Sequence, residues 1–256
     1  MTTQKSTNTA IDIVRLARDK SRPHGKDFLR EVLTGFFELH GDRRYGDDGA
    51  IIGGVGYLGD VPVTAIAIDK GADTAERQKR NFGMPNPEGY RKALRLMKQA
   101  EKFGRPIICF VDTSGAFCGI GAEERGQGQA IAENLLEMSA LRVPIITILT
   151  GEGGSGGALA LSVANEVYML ANTVYSVISP EGCASILFKD SSKAPEAAEA
   201  LRLTAKDLLG FGVIEGIIDE GEGLMDRIRE LLTKRIGELS GKDNLAQARY
   251  DRFRKF

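Results

Sequence analysis

Glycine placement limits the fold of this chain more than any other sequence feature. The chain has 31 glycines, clustered at Gly49–Gly59, Gly115–Gly128 and Gly151–Gly157, and they form no low-complexity tract. A residue without a Cβ is needed where backbone turns sharply or comes close to another group. Two of the clusters follow apolar runs, Pro106-Ile-Ile-Cys-Phe-Val111 and Val143–Leu149, which read as buried strands. Strands that end in such turns predict close crossovers between strand and helix.

Periodicity fills in the rest. Ile13, Leu16 and Ala17, then Phe28, Val32, Phe36 and Leu39, predict a helical N-terminal extension over roughly residues 1–45. Ala50–Tyr57 and Val61–Ile68 predict two strands joined by a tight turn at Leu58-Gly59-Asp60. After a basic segment, Arg77–Pro87, helices at Gly89–Phe103 and Ala122–Leu141 alternate with the two buried strands; Leu94, Met97 and Ala100, and Ile131, Leu135 and Met138, form their apolar faces. Short strands follow at Glu166–Leu170, Val174–Ile178 and Val213–Ile217, with helices near Gly182–Phe188, Glu196–Leu201, Ala205–Leu209 and Leu224–Leu239. The alternation predicts the α/β class. No linker divides residues 1–256, so one domain is expected.

Composition excludes several functions. With 34 basic and 35 acidic residues there is no bulk electrostatic case for a nucleic-acid or membrane partner. The longest strongly apolar stretch, Val143–Leu149, is far short of the ~20 residues a membrane helix needs. Met1–Arg15 carries an acid at Asp12 and lacks an apolar core with a cleavage site, so no secretory signal is expected and the location is read as cytoplasmic. Cys109, Cys118 and Cys183 have no C-x-x-C spacing, which predicts neither a disulfide framework nor a metal site in this chain. His24 and His40 are the two histidines, both near the N-terminus.

Three readings compete at Gly151-Glu-Gly-Gly-Ser-Gly156. The spacing fits the G-x-G-x-x-G of dinucleotide sites, but the helix expected after it, Ala158–Ala164, is short and no acid ends the next strand to hold a ribose. Gly153–Gly157 also fits the G-x-S-x-G of hydrolase elbows, yet no histidine follows Ser155 to act as its base. The third reading is a helix opening whose unpaired backbone N–H groups stabilise negative charge. Asp112-Thr-Ser-Gly-Ala-Phe-Cys-Gly-Ile-Gly121 has the same character at the end of the preceding buried strand. One such turn is ordinarily just a tight crossover; two on neighbouring strands favour an oxyanion site.

The segments Asn81-Phe-Gly-Met-Pro-Asn-Pro-Glu-Gly-Tyr-Arg-Lys-Ala93, Gly121-Ala-Glu-Glu-Arg-Gly-Gln127, Gly151-Glu-Gly-Gly-Ser-Gly-Gly-Ala158 and Tyr175-Ser-Val-Ile-Ser-Pro-Glu-Gly-Cys-Ala-Ser185 carry a resemblance. The chain resembles the alpha subunits of bacterial acetyl-CoA carboxylase carboxyltransferase, within the crotonase-like superfamily. The resemblance implies a crotonase/ClpP-like spiral of strand-strand-helix units with helical N- and C-terminal regions. It implies carboxyl transfer from carboxybiotin, borne on a biotin carboxyl carrier protein, to acetyl-CoA, giving malonyl-CoA for fatty acid synthesis. It also implies a zinc-ribbon beta subunit, an α2β2 heterotetramer and a biotin carboxylase in the ATP-dependent holoenzyme. The family often has proline at the positions of Ser114 and Cys118, and its N-terminal region is longer.

Carboxyl transfer develops negative charge on two oxygens, and fixed backbone amides suit that task. The amides of Gly156 and Gly157, facing those of Gly115 and Ala116, are the expected catalytic donors, with Gly153, Gly154, Ser155, Ala158 and Gly119 around the carboxybiotin. Valine at Gly156 or Gly157 is expected to cut transfer without unfolding the assembly. Glu123 and Glu124 read first as acids favouring a helix N-terminus and second as acid/base groups. Arg125 is expected to pair with one of them or organise the loop, and Arg77, Lys79, Arg80, Arg91 and Lys92 to meet CoA phosphates or solvent. A stand-alone crotonase-like hydratase or isomerase, and a non-catalytic acyl-CoA-binding scaffold, are the rival functions.

Overall fold

Apolar residues occupy both faces of the central strands, so both faces of their sheet must be covered. The computed structural model describes residues 8–256. Strands β1 (Thr34–Glu38), β2 (Ile51–Leu58) and β3 (Val61–Ile68) pair antiparallel. Next, β4 (Ile107–Thr113), β5 (Ile145–Gly154), β6 (Glu166–Leu170) and β8 (Gly216–Ile218) continue the sheet in parallel, while β7 (Val174–Ser176) pairs off the main path with β5. Ile66, Ile107, Cys109, Val111, Ile145 and Leu149 face one core, with α4 (Pro87–Lys102) and α6 (Gln127–Ala140). Ala65, Ile108, Phe110, Ile146 and Ile148 face the other, under α2 (Gly25–Val32) and α11 (Leu224–Ser240).

Strand β5 is where the sheet changes direction. Ile146–Leu149 pairs with β6, whereas Glu152–Gly154 pairs with β7. Against β4 the register jumps from Val111↔Leu149 to Thr113↔Gly153, so β5 advances four residues while β4 advances two. The extra residues form a bulge, a device that bends a strand and re-aims its side chains.

The hairpin, the buried strands and most helices stand where the sequence places them. Several expectations do not hold. Residues 1–7 of the N-terminal helical region expected over 1–45 lie outside the described residues; within the rest of that span the helices are α1 (Ala10–Ala17) and α2. Phe36 and Leu39 do not continue a helix, because Gly35 takes φ +60 and β1 pairs with β2. Gly54 allows that pairing: a Cβ there would lie 2.1 Å from the Phe37 carbonyl oxygen. The helix expected over Ala122–Leu141 is broken into α5 (Ile120–Glu124) and α6 by Gly126 at φ +81. The strand expected to stop at Leu149 runs on to Gly154, and α7 (Ser155–Leu159) starts earlier than the helix read at Ala158–Ala164.

Helices α8 (Pro180–Leu187), α9 (Ala194–Leu201) and α10 (Ala205–Gly210) match their expected places. The last strand lies at β8, not at Val213–Ile217. Helix α3 (Thr74–Lys79) runs into the start of the basic segment, and α12 (Leu245–Phe253) has no counterpart in the sequence reading.

Candidate active site

Because β4 and β5 are parallel neighbours, their C-terminal ends emerge side by side, and both lead into glycine turns. In the first turn the Thr113 hydroxyl donates to the Gly115 carbonyl at 2.7 Å and accepts from the Gly115 amide at 3.0 Å. Gly115 itself has φ +149, and a Cβ there would meet nothing within 4 Å. The Phe117 amide donates to the Pro85 carbonyl at 3.0 Å. The buried Gln127 side chain clamps the same place, donating at 2.9 Å to both the Pro85 and Phe117 carbonyls.

The second turn pivots on Ser155, a non-glycine residue at φ +51. Such residues are uncommon and concentrate at functional sites. Ser155 opens α7, so the amides of Gly156, Gly157 and Ala158 have no acceptor one turn earlier in the helix. The buried Tyr90 hydroxyl donates to the Gly157 carbonyl at 3.2 Å and fixes the helix from below.

The two turns touch. A Cβ on Gly154 would lie 2.2 Å from the Ser114 carbonyl oxygen, and one on Gly157 2.5 Å from the Ala116 amide nitrogen. The structure thus brings Gly115, Ala116, Gly156 and Gly157 together as the sequence suggests. Their roles differ, however. Gly156 is open, since a Cβ there would meet only Ile131 Cγ2 at 3.6 Å, whereas Gly157 is a packing glycine. Valine at Gly157 therefore cannot leave the fold undisturbed, contrary to the sequence expectation. Gly153 is filled from outside by Leu149 and Tyr175, Ala158 is buried, and Gly119 abuts the Phe117 ring at the start of α5. Ser155 and Gly156 line a groove of about 480 Å³ whose walls include Leu159, Tyr175, Val177 and Phe253. On the other side, Ser114 and Ser155 border a cavity of about 70 Å³ that reaches Arg18 and Glu152.

Beneath the turns lies a charge cluster that sequence reasoning missed. The Lys70 ammonium sits 2.7 Å from Asp112 Oδ1 and 3.1 Å from Glu152 Oε2. Arg18 from α1 bonds the other Glu152 oxygen at 2.7 Å and Glu181 of α8 at 2.7 Å. Burial pulls the Lys70 ammonium down, but Asp112 and Glu152 outweigh it and hold it above the ordinary lysine range. Burial likewise raises Glu152, while Lys70 and Arg18 bring it below the usual carboxylate range. The available signal was that Glu152 is the only charge inside the glycine run Gly151–Gly157.

Other sequence candidates fall away from the turns. Glu123 and Glu124 are exposed on α5. Arg125 pairs with neither: it bonds Glu88 at 3.0 Å and Asn86 at 3.3 Å, and stacks over Tyr45 at 4.6 Å. Arg80, Arg91 and Lys92 are taken up internally by Asp69, Asp42 and Asp47, which leaves them poorly suited to phosphate binding. His40 bonds Asp47 at 2.9 Å, and His24 caps the start of α2. Among the described residues no His/Cys/Asp/Glu group could hold a metal, and no helix is long and apolar enough to cross a membrane.

The signature segment Asn81–Ala93 is held by buried Asp48. That carboxylate accepts from the Asn86 amide at 3.0 Å and its side chain at 3.1 Å, and from the Ala50 amide at 2.8 Å. Through Pro85 the segment supports the first turn, and through Tyr90 the second.

Comparisons with known proteins give the family and the fold. A family model described as acetyl co-enzyme A carboxylase carboxyltransferase-like matches residues 3–256. An acetyl-coenzyme A carboxylase carboxyl transferase subunit alpha from Ruminiclostridium cellulolyticum is 58% identical over 253 residues, covering 96% of this chain and 97% of the relative. A fused beta/alpha protein of that name from Natranaerobius thermophilus is 56% identical, covering 96% of this chain and 42% of its own length. Among solved structures, a transcarboxylase 12S superposes with a TM-score of 0.75 at 18% identity, over 94% of this chain and 46% of that one, so this chain spans about half its length. The beta subunit of P. aeruginosa geranyl-CoA carboxylase superposes at 0.70 and 16% identity, over 97% of this chain and 47% of that one. The α/β, crotonase-like fold expected from the sequence is thus the fold of this chain. With its two touching glycine turns and a match along nearly its whole length, the chain belongs to the acetyl-CoA carboxylase carboxyltransferase alpha-subunit family.

Proposed function

We propose that this chain is the alpha subunit of the carboxyltransferase component of an acetyl-CoA carboxylase, working as one domain over residues 1–256. Carboxybiotin, when bound, supplies the carboxyl group that acetyl-CoA accepts to become malonyl-CoA. The chain's part is to present donors to developing negative charge. The single observation that carries this reading is the contact between the turns at Gly115–Ala116 and Gly156–Gly157 at the ends of adjacent parallel strands. Gly115 and Gly156 leave the backbone accessible, so an oxygen can approach without meeting a side chain. Removing one such preorganised donor ordinarily costs ~3 kcal/mol of transition-state stabilisation. No side-chain base beside Ser155 is required: the methyl proton that acetyl-CoA loses would pass to the biotin ureido nitrogen once the carboxyl has left it, and the donors of this chain act on charge.

The roles of Gly153, Gly154, Ser155, Ala158 and Gly119 divide accordingly. Ser155 and Gly154 border the path into the turn, while Gly153, Ala158 and Gly119 hold its shape. A beta subunit with a zinc ribbon completes the site in an α2β2 assembly, a pairing supported by the fused beta/alpha relative. A biotin carboxyl carrier protein delivers the carboxyl group, a biotin carboxylase reloads it, and the location is cytoplasmic.

The test is biotin-dependent decarboxylation of malonyl-CoA by this chain alone and with its beta subunit. Turnover is expected only in the mixture. A folded complex without turnover would overturn the assignment. Turnover by the chain alone that vanishes in Glu123→Gln or Glu124→Gln would favour a stand-alone hydratase or isomerase.

A further inference from the structure

The bulge in β5 exists around a carboxylate. Asp112 Oδ1 accepts the Glu152 amide at 2.8 Å. A Cβ on Gly151 would lie 2.2 Å from that oxygen, so glycine is required there for the carboxylate to fit. Lys70, just past the end of β3, then binds both Asp112 of β4 and Glu152 of β5. One cation therefore ties together the two strands at the last step before their glycine turns. Thr113 and Ser114 follow Asp112 directly, and Gly153 and Gly154 follow Glu152. The backbone contact between Ser114 and Gly154 sits two residues beyond the charged pair on each strand.

We propose that Lys70 is a positioning residue for carboxyl transfer: by holding Asp112 and Glu152 together it sets the spacing between the two amide turns. The inference rests on the oxyanion role proposed for those turns. All groups around Lys70 fit it. The Asp112 and Glu152 side chains are each only 13% exposed, and Lys70 is 16% exposed. Arg18 approaches Glu152 from the far side and is shared with Glu181, so it does not neutralise Asp112. Asp69, beside Lys70 in sequence, is bound by Arg80 at 3.1 Å and by the Lys26 and Gly71 amides. Without Lys70, two buried carboxylates face one another with no cation between them. They either share a proton or separate, and separation moves one turn away from the other.

Lys70→Met keeps most of the side-chain length and removes the charge. In the complex with the beta subunit, malonyl-CoA decarboxylation is expected to fall about 10- to 100-fold in kcat with KM changed little, the size of effect a small misplacement of reacting groups produces. Its activity should also decline as rising pH removes the shared proton, a decline absent from the parent. Asp112→Asn added to Lys70→Met keeps the oxygen that accepts the Glu152 amide and removes one charge. This double variant should regain turnover and lose the new pH dependence. Thermal midpoints of the isolated chains give a readout independent of catalysis: Lys70→Met should lose stability from pH 5 to 8 more steeply than either the parent or the double variant. Parent-like turnover and pH profile in Lys70→Met would overturn the proposal, as would a loss that the double variant does not relieve in an assembled complex. If Lys70→Met fails to assemble, the double variant alone decides: assembly with restored turnover supports the role, and assembly without it overturns it. An inactive parent complex would instead remove the function proposed above, while the thermal midpoints still test the charge cluster.

Discussion

A methyl group at Gly157 would meet the Ala116 nitrogen at 2.5 Å and the Gly115 carbonyl carbon at 2.7 Å, atoms of the facing turn that cannot swing aside. Gly157→Ala is therefore expected to cost ~1–3 kcal/mol of stability, as overpacking does, and to lower turnover as the turns part. Gly156→Ala meets only Ile131 at 3.6 Å and should keep the parent's thermal midpoint. Calorimetry on both variants separates the packing glycine from the open one. The cysteines differ just as sharply. Burial pushes the Cys109 thiol up to about 12, whereas Cys118 is exposed on the first turn's loop. Iodoacetamide applied to the folded chain at pH 8 is expected to label Cys118 and spare Cys109, read by peptide mass spectrometry; thiolate fraction and access govern the rate.

Helix α4 shows how an element is fastened to the site. Arg91 bonds Asp42 at 2.7 Å, Lys92 bonds Asp47 at 2.5 Å, and Asp48 gathers the backbone ahead of the helix. Burial raises Asp42, but the Tyr45, Arg44 and Gly46 amides and Arg91 outweigh it and hold the carboxyl at about 2. Asp47, also raised by burial, is brought to about 2 by Lys92, the Gly41 amide and His40. Both folded values lie below the ~3.9 of a free aspartate, so their stabilisation is complete above that pH and is lost as pH falls from about 4 towards 2. The thermal midpoint should drop across that window, and less so in Asp42→Asn. At Gly126, φ +81 ends α5 and starts α6. Gly126→Ala forces an L-residue into the left-handed region and should cost ~1–2 kcal/mol by chemical denaturation.

The C-terminal helix matters to the molecule as a whole. Arg249 in α12 is fully buried and donates to the carbonyls of Met138, Ser139, Leu141 and Val143 and to Asn165. It closes the α6–β5 connection, and the same helix brings Phe253 to the wall of the groove beside Gly156. Arg249→Met takes that donor from the four carbonyls, at ~1–3 kcal/mol for each one that stays buried and unsatisfied, while Asn165 keeps the Ile145 amide at 3.1 Å. Limited proteolysis is expected to cut within residues 241–256 of the variant before any cut in the parent.

The buried strands, the hairpin, the α/β class and the two glycine turns were all legible in the residues themselves, because burial of a parallel strand and tight turning leave local marks in composition. The first helix-strand error arose at Phe36, where three-to-four spacing on a short apolar segment fits either element until a partner strand is present. The division of labour among the glycines was not legible, since an open glycine and a packed one are the same letter. Nor was the charge cluster: Lys70 and Glu152 are 82 residues apart, and nothing near either one announces the other. The sequence alone determined which segments turn on glycine and to which family they belong. Tertiary structure alone decided which charges meet beneath those turns, because that choice depends on sheet register and on a bulge made between strands, not within one.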